Sequence, residues 1–192
     1  DEEISRLSSV LADAEASGDI SIYVAAAFRM LLLTGCRLSE IQFLKWEYVT
    51  RTHLVLPDTK TGKRAIPLPD AGRKILDALP RNPENPFTFQ GEADGKPAVN
   101  LEKPWRRIRA KAGLDDVRIH DLRHTYASKA LASGMSLYMV GQLLGHTQYQ
   151  TTMRYAHLAD APVRDAANQV ANALSGIVAE SPTQSTALRV VK

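Results

Sequence analysis

The stretch TTMRYAHLAD, residues 151–160, sets Tyr155 directly after Arg154. A tyrosine is a poor nucleophile at neutral pH, because its phenol ionises only near pH ~10. For Tyr155 to react, cations or imidazoles from elsewhere in the chain must stabilise the charge that the reaction creates. Three other stretches offer them. TGCRLSEI puts Arg37 in the turn after a Thr-Gly helix end, with Glu40 three residues on and able to hold the guanidinium. HDLRH spaces His120 and Arg123 so that on a helix they share a face, where one phosphate can meet an imidazole and a guanidinium together. LLGHTQYQTTMRY places His146 after a Gly turn, nine residues before Tyr155.

Each stretch also has a plainer reading. Arg37 and Glu40 alone would be a surface ion pair of little energetic weight. His120 and His124 are four apart, the spacing of two zinc ligands in metalloproteases, and with His146 they would suit a zinc hydrolase. That match is poor, because Asp121 stands where the motif needs the longer Glu as general base. His124 by itself reads as a packed or hydrogen-bonded helix histidine. Tyr149 rivals Tyr155, but its neighbours Gln148 and Gln150 offer no charge stabilisation. Cys36, after an apolar helix, reads as a small buried hydrophobe rather than a thiolate, and Arg154 reads as structural.

These residues need a scaffold to bring them together. The 192 residues, 44% of them hydrophobic, suffice for one compact domain with a substantial core. No apolar run approaches a membrane span, and the acidic opening DEEISRL is unlike a signal peptide. The single cysteine fits a reducing compartment, so the expected location is intracellular. The net charge of +3 is unevenly spread: residues 1–20 hold six acids and one base, residues 45–75 seven bases and three acids, and residues 101–129 eight bases and four acids. Two basic segments suggest a surface that faces a polyanion, with ordinary solvated helix faces as the alternative.

Residues 21–33 are apolar nearly all round, which predicts a buried helix closed by Thr34-Gly35. A second helix is expected from Leu38 to about Trp46. HLVLPDTKTGKRAIPL, residues 53–68, has β-rich flanks (53–56 and 64–68) around a Lys- and Gly-bearing tip, the pattern of a hairpin. Further helices are expected at 70–79, 101–112, 120–132, 136–144, 148–157 and 161–178, with a Pro- and Gly-punctuated loop at 80–97. The last helix carries Val163, Ala166, Ala167, Val170, Ala173, Leu174 and Ile177 at near-helical spacing. The fold class is mainly α (α+β), with one small antiparallel sheet near residues 49–68.

Taken in order, Arg37, Lys60 at the hairpin tip, HDLRHTYAS, LLGH and Tyr155 resemble the catalytic domain of the tyrosine recombinases, also called the phage integrase family. The resemblance runs over nearly the whole chain. It implies a catalytic domain over residues 1–178, a tail at 179–192 that is mobile or docks on a partner, and no N-terminal DNA-clamping domain in this chain. It implies a site made of Arg37, Lys60, His120, Arg123, His146 and the nucleophile Tyr155. Lys63 also lies on the hairpin tip, but the setting DTKTGK favours Lys60.

The implied reaction is site-specific recombination of double-stranded DNA. Tyr155 would attack a phosphodiester to give a 3′-phosphotyrosyl bond and a free 5′-hydroxyl, without metal, ATP or any other cofactor. Arg37 and Arg123 would neutralise the phosphorane, Lys60 would protonate the departing oxygen, His120 would take or share the phenol proton, and His146 would donate to a nonbridging oxygen. Lys63, Arg64, Arg106 and Arg107 are expected as further DNA contacts. The resemblance also implies a homotetramer on DNA, an isolated domain that is monomeric, and a place at the nucleoid in the cytoplasm. Two alternatives stand beside it. A type IB topoisomerase shares the same residue chemistry, and a regulator without catalysis could use residues 136–157 as a helix-turn-helix.

Overall fold

The computed structural model describes residues 1–57, 62–146, 148–158 and 167–174. Helix α1 (Glu2–Ala16) buries Leu7, Leu11 and Ala14, which recur at helical spacing, and packs against α5 (Glu102–Lys111). Helix α2 (Ile22–Thr34) is the centre of the molecule, with Ala25, Ala26, Ala27, Phe28, Met30 and Leu31 all buried. The Ser21 hydroxyl caps its start by accepting from the Val24 amide at 3.2 Å. Gly35 ends it in the left-handed region at φ 61°, as the Thr-Gly signal predicts. A Cβ at Gly35 would lie 2.5 Å from the Tyr126 ring, so the position needs glycine for space as well as for backbone.

Helix α3 (Leu38–Gln42) is shorter than expected, and Trp46–Tyr48 forms a separate 3-10 turn. The reason is tertiary. The Trp46 amide donates to the Pro86 carbonyl at 3.0 Å, and the Thr88 amide donates to the Leu44 carbonyl at 2.8 Å. Backbone groups that would have continued the helix are taken by the 86–88 loop.

Strands β1 (His53–Leu56) and β2 (Arg64–Pro67) pair antiparallel, from His53↔Pro67 to Leu56↔Arg64, as the hairpin pattern predicts. Leu54, Leu56 and Ile66 point inward, and so does Arg64. Helix α4 (Asp70–Asp77) then packs on α2. Trp105 of α5 is fully buried against Phe28, ring centroids 5.3 Å apart, and its indole N–H donates to the Val117 carbonyl at 3.0 Å.

Helix α6 (Asp121–Ala132) packs on α2 and on α7 (Leu137–Leu144). It bridges two apolar clusters: Leu122 joins the main core, while Ala127, Ala130 and Leu131 form a smaller one with Val140, Leu144 and Tyr155. Helix α7 ends at Gly145, φ 66°. The helix expected at 148–157 is broken. Helix α8 spans only Tyr149–Met153, Arg154 and Tyr155 lie in a turn, and Ala156–Leu158 is a 3-10 turn. Of the expected helix 161–178, residues 167–174 are helical and exposed, and the remainder lies outside the described residues, as does the 179–192 tail. Among the described residues no helix is long and apolar enough to cross a membrane.

Candidate active site

Three arginines converge between α2, α3, β2, α6 and α7. Arg37 sits at the start of α3, where its amide donates to Glu40 Oε2 at 2.7 Å and its guanidinium to Glu40 Oε1 at 2.8 Å. Arg64 reaches the same carboxylate from β2, at 2.7 and 2.8 Å, and also donates to the Leu143 carbonyl at 2.8 Å. Arg123 is 5% exposed. Its two terminal nitrogens donate to the Gly35 carbonyl at 2.5 Å and the Leu144 carbonyl at 2.7 Å. The carbonyl-rich C-terminal ends of α2 and α7 therefore hold one guanidinium between them, a favourable placement for a cation.

Glu40 is the acid inside this group. Burial pushes its carboxyl up, but the Arg37 amide and the Arg64 guanidinium outweigh burial and hold it below the usual range. Burial lowers Arg123 to about 10, helped by Arg64 and Arg37, so it stays a cation at neutral pH. One carboxylate facing three guanidiniums leaves local positive charge that an anion would balance.

His146 follows the Gly145 turn, and its Nδ1 lies 2.9 Å from the Thr152 hydroxyl. Burial, with Arg123, Arg37, Arg64 and Arg154 in that order, pushes its pKa down to about 4. The ring is thus neutral at pH 7, with its proton on one nitrogen and one hydrogen bond shared between Nδ1 and the Thr152 hydroxyl. Thr152 is buried beside Gly141, where a Cβ would come within 2.9 Å of its oxygen.

Tyr155 is 6% exposed. Its hydroxyl is 2.5 Å from Nδ1 of His124, not from His120. His120 stands behind His124, the two rings edge to face with centroids 4.9 Å apart. Burial raises the Tyr155 phenol, while Arg154 and Arg123 act in the opposite sense. Burial also lowers both His120 and His124.

The arrangement of Arg37, Arg123, His120, His146 and Tyr155 can be set beside known proteins. The model of the phage integrase family matches residues 1–161. The chain belongs to the phage integrase family. A tyrosine recombinase of Thermosipho africanus (strain TCF52B) is 33% identical over 156 residues, covering 75% of this chain and 53% of that protein. Among solved structures, the catalytic domain of bacteriophage HP1 integrase has a TM-score of 0.62 at 22% identity and covers 98% of this chain and 96% of that one. The fold is thus that of an integrase catalytic domain. XerH site-specific recombinase, solved bound to palindromic difH substrate in a post-cleavage complex, has a TM-score of 0.65 at 22% identity over 87% of this chain and 51% of that one. The chain spans about half the length of the curated relatives it matches, and 35% of one of them.

In this integrase-family domain most of the sequence-chosen side chains come together. Arg37, Arg123 and His146 share one electrostatic cluster, and Arg123 acts on both His120 and Tyr155. Lys60 lies outside the described residues. Lys63 and Arg106 are exposed, and so is Arg107, which donates to the Asp19 carbonyl at 2.9 Å. Arg64, expected on a DNA-facing surface, is instead 8% exposed and bound to Glu40 and Leu143. Its inward turn follows from strand parity with Ile66 and Leu68, a signal the sequence carried.

The residues that sequence reasoning passed over are Arg64 as an internal strut, Thr152 as the partner of His146, and His124 as the partner of Tyr155. His124 was read as a packed or hydrogen-bonded helix histidine, without Tyr155 as its partner. Among the described residues no three His, Cys, Asp or Glu side chains stand together as a metal site, so the zinc hydrolase alternative lacks its ligand set. Cys36 is buried, and burial pushes its thiol up to about 11, which removes it as a nucleophile.

Proposed function

We propose that this chain is the catalytic domain of a site-specific DNA recombinase that breaks and rejoins strands through a 3′-phosphotyrosyl bond at Tyr155. The observation that carries the reading is a phenol at the edge of an arginine cluster that, among the described residues, contains a single carboxylate, in a domain of the phage integrase family. Arg37 and Arg123 grip the nonbridging oxygens of the scissile phosphate. Their charge supplies the neutralisation of the phosphorane without a metal, and their planar forks set its orientation. His146, a neutral ring, donates to the same oxygens, and His120 adds a second imidazole beside Arg123. Lys60 protonates the 5′-oxygen as it leaves. The bond energy is kept in the phosphotyrosyl ester, so rejoining by another 5′-hydroxyl needs no ATP.

Double-stranded DNA is the substrate, and Lys63, Arg106 and Arg107 offer further phosphate contacts. A homotetramer on paired sites, working at the nucleoid in the cytoplasm, completes the reading. The helix-turn-helix alternative is weakened by the length of α8, which spans only five residues.

The test uses a pool of nicked duplexes with randomised arms, incubated with the protein in EDTA. The expected result is a DNA adduct that survives denaturation and is absent from Tyr155→Phe. No adduct with the unmodified protein would overturn the proposal, and an adduct that persists in Tyr155→Phe would move the nucleophile elsewhere. Sequence-independent relaxation of supercoiled DNA without strand exchange would instead indicate topoisomerase action.

A further inference from the structure

We propose that His124 is the group that takes the proton from Tyr155 as the phenol attacks, with His120 standing behind it as the second imidazole of a relay. The inference rests on the reading of Tyr155 as the nucleophile and adds a residue to which that reading gives no role. Three observations carry it. The Tyr155 hydroxyl lies at hydrogen-bond distance from one imidazole nitrogen, Nδ1 of His124. Tyr155 belongs to the small apolar cluster formed by α6 and α7, so few water molecules compete to accept the proton. His124 on α6 and His120 at its N-cap are four residues apart and touch edge to face, while the Tyr155 ring is tilted 55° from His124 with centroids 5.7 Å apart.

The charges around His124 fit a base that is empty before reaction. From α6 it faces Asp121, from the turn before α6 Arg118 and His120, and from the segment after α8 Arg154 and Tyr155. Burial first, then His120, Arg154 and Arg118, disfavour the imidazolium, and Asp121 alone favours it. His124 is therefore neutral at pH 7, with a lone pair on Nδ1 and its proton on Nε2. As the Tyr155 oxygen bonds to phosphorus, its proton passes to Nδ1 and the P–O5′ bond breaks. The leaving oxygen takes a different proton, from Lys60. The positive charge formed on His124 is met by Asp121 on one side and by the incoming DNA phosphates on the other. In rejoining, His124 returns the proton to the phenol.

The experiment measures single-turnover adduct formation on the nicked duplex pool across pH 5.5–9.5 for the unmodified protein, His124→Ala and His124→Asn. Asn can accept the phenol hydrogen bond but cannot hold its proton. Both variants are expected to lose about 10²-fold in rate at pH 7. Their rates should then climb with pH toward the ionisation of the phenol itself, whereas the unmodified protein levels off above the His124 titration. Placing a fluorinated tyrosine of lower pKa at position 155 should shrink the defect of both variants to a few-fold.

Recovery of full rate in His124→Asn would show that the ring only holds the phenol, and would overturn the proposal. So would a defect that the fluorinated tyrosine leaves unchanged. Absence of any adduct with the unmodified protein, or its persistence in Tyr155→Phe, would instead defeat the underlying reading of Tyr155.

Discussion

At the scale of single residues, Arg64 and Arg123 show how two buried guanidiniums serve different ends. Arg123 uses its two terminal nitrogens on main-chain carbonyls, and its charge bears on Tyr155 and His120. Arg64 is turned wholly to structure, joining the hairpin to α3 through Glu40 and to α7 through Leu143. Replacing it strands a buried carboxylate with only the partly exposed Arg37 for company. Arg64→Ala is expected to destabilise the domain by about 3 kcal/mol, the low end for breaking a buried ion pair, because Arg37 still bonds the carboxylate. For a chain of this size that corresponds to a fall in melting temperature of roughly 6–12 °C. Lys63→Ala, one residue earlier and exposed, should stay within about 0.5 kcal/mol. Thermal denaturation of both variants measures the contrast, and equal melting temperatures would show that Arg64 is no strut.

At the scale of elements, the site hangs on two helix ends. The Gly35 carbonyl at the end of α2 and the Leu144 carbonyl at the end of α7 hold Arg123, and the turn after α7 delivers His146. A Cβ at Gly145 would lie 2.2 Å from Arg64 Nε, and one at Gly35 would lie 2.5 Å from Tyr126, whereas Gly18, also at positive φ, has open space around it. Gly18→Ala should therefore cost only the backbone term, about 1 kcal/mol. Gly35→Ala and Gly145→Ala should each cost clearly more in thermal denaturation, and should slow adduct formation as well, since Gly35 supplies one carbonyl to Arg123 and Gly145 adjoins Leu144, which supplies the other. A loss at Gly145 no larger than at Gly18 would refute the crowding. These ends also explain what the sequence made legible. Thr34-Gly35 and Gly145 are local signals, so α2 and α7 could be bounded from residues alone. The ends of α3 and α8 could not, because long-range bonds from Pro86 and Thr88 take over the backbone after Gln42, and burial of Thr152 and Tyr155 turns the chain after Met153. Arg37, Glu40, Arg123, His146 and Tyr155 were readable from motif order. The His124 contact was not, since it depends on how that turn seats Tyr155 against α6.

At the scale of the whole molecule, the positive cluster makes folding sensitive to acid in a definite direction. His146 is pushed down to about 4, chiefly by burial and then by Arg123 and Arg37, and His120 and His124 are shifted the same way. Freed by unfolding, these imidazoles take up protons near pH ~6.5. Between the two values the unfolded chain binds more protons than the folded one, so stability is full above about pH 6.5 and declines as pH falls toward 4. Glu40, held low by its Arg37 and Arg64 partners, adds a further loss only below the ordinary carboxylate range. His146→Gln removes one titrating ring while keeping an acceptor for Thr152. Melting curves from pH 7.5 to 4.5 should then show a shallower decline for His146→Gln, by on the order of 1–2 kcal/mol at the acid end once solvent screening of a partly exposed ring is allowed for. Parallel declines would mean that the cations around His146 do not repel its proton, and the electrostatic basis for an anion at that position would go with them.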